Sequence, residues 1–126
     1  GIGGGMVING RLWTGASGYC SEVGFLPVYE RLNKGSLGLP PAEHISELYA
    51  RLIQVYAVTV NPHMMVLYRH PLLEGRLDEI RRLCASYLPS KAIPSIELSY
   101  DYQQDYEKGL FTVAKSLEQA VSEGGL

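Results

Sequence analysis

Residues 1–25 read GIGGGMVINGRLWTGASGYCSEVGF, and three glycine signals within them set the local order of the chain. Gly5-Met6-Val7-Ile8, then Asn9-Gly10, then Arg11-Leu12-Trp13 predicts a β-hairpin. Asn-Gly favours the two-residue type I′ turn because both central residues must adopt φ > 0. Gly15-Ala16-Ser17-Gly18 marks a loop after it. The opening glycines fit neither common phosphate motif. A dinucleotide fingerprint needs G-x-G-x-x-G between a strand and a helix, whereas here Met6 occupies the last glycine position and a hairpin comes next. A P-loop needs a Lys that this stretch lacks. What remains is a glycine turn, which either exposes backbone N–H groups to an anion or simply connects strands.

Outward from this stretch the period changes. Leu26 to Pro41 carries prolines and glycines with little periodicity and reads as a long connection. Ile45, Leu48, Tyr49, Leu52, Ile53 and Tyr56 then fall on one face of a helix that begins near Ala42 and stops at Asn61-Pro62. His63 to Tyr68 is a short apolar run, the pattern of a strand buried on both faces. Pro71 opens a second helix, with Leu73, Leu77, Ile80, Cys84 and Tyr87 on one side and Gly75 as its weak point. Pro89 and Pro94 bracket a loop, Ser95 to Ser99 reads as a strand, and a last helix is expected over Asp105–Glu123. The order implies an α/β domain: a mixed sheet with an N-terminal hairpin, followed by alternating helices and strands.

The bulk numbers bound the class. The chain has 126 residues, 46% hydrophobic and 19% charged, with a net charge of −2. That is one domain's worth of globular sequence. No cluster of Lys and Arg supplies a nucleic-acid footprint. No apolar stretch approaches the roughly 20 residues needed to span a bilayer, so no membrane partner is expected. Cys20 and Cys84 have no C-x-x-C partner, which argues against a disulfide framework and for a reducing cytoplasm.

The first 25 residues also resemble the signature of the ROK family (repressors, open reading frames, kinases), a segment of the form G-T-G-I-G-G-G, hairpin, N-G-K-L-x-x-G-A-x-G-x-x-G-E-I-G-H. Gly1-Ile2-Gly3-Gly4-Gly5, Asn9-Gly10, Gly15-Ala16-Ser17-Gly18 and Glu22-Val23-Gly24 match it without a gap. LIQVYAVTVNPHMMVLYRH and DYEKGLFTVAKSL resemble later parts of the family more loosely. The resemblance implies the C-terminal lobe of a ribonuclease-H-like, actin-like ATPase fold. It implies that Gly3, Gly4 and Gly5 approach nucleotide phosphates and that Glu22 accepts hydrogen bonds from sugar hydroxyls. A carboxylate suits that work because it offers several lone-pair sites.

Departures from the pattern set a second expectation. Phe25 stands where the family has a His that touches sugar and a structural zinc, and the family's cysteine-rich zinc segment is missing. Cys20, Cys84, His44, His63 and His70 are too scattered to supply the four close ligands of a zinc site, so no zinc is expected. Tyr68-Arg69-His70 replaces the glycines that line the family's nucleotide wall. The family's catalytic Asp lies in the other lobe, so no catalytic residue is expected in this chain.

The resemblance therefore implies a sugar- or effector-sensing domain of a ROK-type transcriptional regulator, with DNA reached through an upstream helix-turn-helix. A homo-oligomer that binds a sugar or sugar phosphate, with no cofactor of its own, goes with that reading. The alternative is the C-terminal half of a sugar kinase using ATP and Mg²⁺. Because the family's strand precedes G-T-G-I-G-G-G, the chain is also expected to be a piece of a larger protein whose first lobe strand lies upstream. The aromatic run Tyr100–Tyr106 reads as a loop whose rings cover the helix entry, with a stacking wall of a sugar cleft as the alternative.

Overall fold

The computed structural model describes residues 3–33, 41–68 and 70–99. The expected helix over Asp105–Glu123, the run Tyr100–Tyr106 and Arg69 lie outside the described residues, as do Gly1 and Ile2. Two compact units divide the rest, Gly3–Glu22 in one and residues 23–99 in the other.

In the first unit, β1 (Met6–Ile8) pairs antiparallel with β2 (Arg11–Trp13), in the register Met6–Trp13, Val7–Leu12, Ile8–Arg11. Asn9 and Gly10 turn at φ 52° and 76°, the positive pair a type I′ turn demands. The sequence reading holds here.

The second unit contains α1 (Pro27–Asn33), α2 (Ile45–Thr59), β3 (Met64–Tyr68), α3 (Leu77–Tyr87) and β4 (Ser95–Ser99). β3 and β4 run parallel in the register Met64–Ser95 through Tyr68–Ser99, joined by α3 as a βαβ crossover. Ile45, Ala50 and Ile53 of α2, Ile80 and Cys84 of α3, Leu67 of β3 and Ile96 of β4 close one core with Leu73. A second core gathers Val23, Tyr29 and Leu32 against Leu48 and Leu52 of α2. So α2 has two buried sides, and this explains why its apolar positions are so many.

Four expectations change. The stretch from Leu26 is not all connection: Pro27, placed where a helix needs no N–H, starts α1, and Tyr29 and Leu32 bury themselves a turn apart. The second helix starts at Leu77 rather than Pro71. Glu74 (φ −61°, ψ 128°) and Gly75 (φ 73°) form a type II turn that Arg76 N–H closes onto Leu73 O at 3.1 Å. β3 is not buried on both faces; Leu67 is buried, whereas Met64, Val66 and Tyr68 on the alternate face are 48%, 43% and 37% exposed. Finally, the single mixed sheet is, among the described residues, two two-stranded sheets, one antiparallel and one parallel. The coarse α/β class stands, with three α-helices among the described residues.

α2 ends as the sequence suggests. Asn61 takes the left-handed conformation (φ 48°), its N–H returns to Tyr56 O at 3.0 Å, and its side-chain amide donates to Ala57 O at 3.3 Å.

Candidate functional site

Gly3, Gly4 and Gly5 are exposed. Gly3 and Gly5 lie outside the left-handed region, and a Cβ at Gly3 would meet nothing within 4 Å. At Gly5 it would meet only Leu12 Cδ1, at an ordinary 3.9 Å. Neither backbone conformation nor crowding among the described residues therefore requires glycine at these two positions.

The loop after β2 is built differently. Cys20 N–H donates to Thr14 O at 3.1 Å and closes a neck, where a Cβ on Gly15 would come within 3.3 Å of the Cys20 Cβ. Gly15 (φ 79°) and Gly18 (φ 82°) provide the reversals inside it. Ser21 also adopts φ 70°, a conformation that costs roughly 1–2 kcal/mol for a residue with a Cβ. Glu22 N–H then bonds back to Tyr19 O at 3.2 Å, closing a turn that spans Cys20, and Glu22 itself is exposed. Left-handed residues of this unit thus fall at Asn9, Gly10, Gly15, Gly18 and Ser21.

The remaining candidates sit in short turns, at element ends and in the core. Phe25 ends a short 3₁₀ turn over Val23–Phe25 and is 79% exposed. His70 Nδ1 accepts from Leu72 N–H at 3.2 Å and caps the turn Pro71–Leu73. His63 lends its carbonyl to Ser95 N–H, and His44 lies 3.6 Å from Glu43. Cys84 is fully buried and burial pushes its thiol pKa up, which makes it a poor nucleophile. Tyr49, on the core-facing side of α2, is raised by burial and secondarily by Tyr29. Among the described residues no group of three or more His, Cys, Asp and Glu is arranged to hold a metal ion. No helix among them is long and apolar enough to cross a membrane.

Glu22 and the glycine segment share the unit Gly3–Glu22, whereas Tyr68, His63 and His70 belong to the other. One residue the sequence marked only as part of a strand stands out: Trp13, at the end of β2, is 56% exposed. Three-residue strands are too short for alternation to reveal which side chain faces solvent. Comparison of the chain with protein families, with curated proteins and with solved structures gives no match.

Proposed function

We propose that the chain is the sugar- or effector-sensing domain of a ROK-type transcriptional regulator whose kinase site has degenerated. One observation carries the reading. The left-handed residues Asn9, Gly10, Gly15, Gly18 and Ser21 coincide with the N-G and the three loop glycines of the motif that the sequence resembles. Ser21 keeps that conformation even though it is not glycine, as a loop shaped for presenting Glu22 would require. Glu22 accepts sugar hydroxyls. Phe25 offers no nitrogen to sugar or metal, and Tyr68 places bulk where a nucleotide wall would need glycine. DNA is reached through another segment, and the protein works as a cytoplasmic homo-oligomer.

The kinase reading keeps one supporting observation: neither packing among the described residues nor φ explains Gly3 and Gly5, and closely approaching phosphates would. Calorimetry with ATP–Mg²⁺ and a panel of hexoses and amino sugars separates the two. Sugar heats without nucleotide heats support the sensor. Tight nucleotide binding with sugar-dependent ATP turnover replaces it with the kinase.

A further inference from the structure

Trp13 is large, apolar and more than half exposed at the end of a strand, and it is the chain's one tryptophan. The next residue, Thr14, forms the neck of the loop with Cys20, and the turn closed by Glu22 N–H on Tyr19 O spans Cys20, so that Glu22 follows the neck by two residues. The loop closure thus brings the backbone positions of Trp13 and Glu22, nine residues apart, to the same end of the loop. An indole and a carboxylate are complementary to the two chemistries of a pyranose. Its hydroxyl rim donates to carboxylate lone pairs, and its C–H face is apolar and covers an aromatic ring. Trp supplies that area with little conformational entropy to lose, and its N–H leaves a polar handle at the edge.

Building on the sensor reading, we infer that Trp13 is the stacking platform for the sugar that Glu22 binds, and that it selects pyranoses with a continuous C–H face. The single indole makes the test direct. The chain is titrated with D-glucose and N-acetyl-D-glucosamine while tryptophan emission and binding heat are followed in parallel. A saturable emission shift with the calorimetric midpoint is expected. Trp13→Ala raises Kd roughly tenfold or more, and Trp13→Phe keeps most of the affinity because it keeps a ring. Circular dichroism verifies that both variants fold, as substitution at an exposed position allows. Sugar heats with unchanged emission, or an unchanged Kd in folded Trp13→Ala, overturn the role of Trp13 and leave the sensor reading standing. No heat with any sugar of the panel overturns both.

Discussion

Ser46 Oγ donates to Glu79 Oε2 at 2.8 Å, a bond that ties α2 to α3. Ser46 is only 3% exposed, whereas the Glu79 side chain is 47% exposed and lies 4.0 Å from Arg76. The two ends of the bond are therefore unequal. Ser46→Ala leaves a carboxylate that water can solvate, and a loss of about 1 kcal/mol is expected. Glu79→Ala leaves a buried hydroxyl, which can turn to the carbonyl four residues earlier and soften its own loss. Urea unfolding of both variants and the double variant checks this. Additive losses would mean that the bond carries no coupling.

Ser21 bears a Cβ at φ 70°, so its loop holds strain that glycine would relieve. Ser21→Gly is expected to raise stability by up to about 1 kcal/mol, less a part returned as extra freedom of the unfolded chain. Ser21→Val, β-branched, is expected to lower it by more than that. Thermal melts of the two variants decide, and equal melting temperatures would show that the turn relaxes to another conformation in solution.

The same contrast between local rule and tertiary context explains how much was legible. The Asn9-Gly10 hairpin, α2 with its Asn61 stop, and β4 were readable because each rests on a local rule: paired positive φ, a 3.6 period or a proline boundary. α1 was not, because among its described side chains two are buried, Tyr29 and Leu32, and one such pair is too few for a period. The exposed face of β3 was hidden for a different reason. Met64, Val66 and Tyr68 are apolar at solvent-facing positions, so composition does not separate the two faces. Of the candidate site, the glycines and Glu22 came from motif resemblance, whereas the exposure of Trp13 and the strain at Ser21 arise only in the folded chain, where no local sequence rule announces them.

Alkaline pH acts on two groups of the second unit. Burial raises the thiol pKa of Cys84, and burial with the neighbouring Tyr29 raises the phenol of Tyr49. Both charge on deprotonation, so the unfolded chain ionises first and pulls the equilibrium toward itself. Their contribution is full below the unfolded pKa values, roughly 8.5 for Cys and 10 for Tyr, and is lost as pH rises through the folded ones. Denaturation midpoints are expected to hold steady from pH 7 to about 8.5 and then fall. Cys84→Ala should flatten the first part of that fall and Tyr49→Phe the second. A wild-type midpoint constant to pH 11 would contradict the assignment.

Glu22 is exposed, so the fold does not depend on its charge. Glu22→Gln retains the shape but exchanges one acceptor oxygen for an N–H₂ donor, which suits a sugar hydroxyl less well. Calorimetry should show sugar affinity reduced roughly tenfold, the worth of one charge-assisted hydrogen bond, while the melting temperature stays put. A variant that binds sugar as tightly as the wild type would remove Glu22 from the site.

Arg81 makes two contacts of unequal value. Its Nη2 donates to Ile96 O at 2.9 Å, and its Nη1 lies 3.8 Å from the fully exposed Asp78 carboxylate. Ser95 N–H points to His63 on the β3 side, and strand backbone groups alternate between edges, so Ile96 O faces the other edge of β4. Arg81 thus caps an edge carbonyl of a buried residue and ties α3 to the sheet it crosses. An exposed ion pair at 3.8 Å is screened and adds little, whereas a charge-assisted bond to a strand carbonyl adds about 1–2 kcal/mol. Asp78→Asn is therefore expected to leave the urea midpoint unchanged. Arg81→Ala should lower it and hasten amide exchange along β4, and Arg81→Lys should recover part of the loss. If Asp78→Asn and Arg81→Ala proved equally costly, the ion pair and not the edge cap would be what Arg81 supplies.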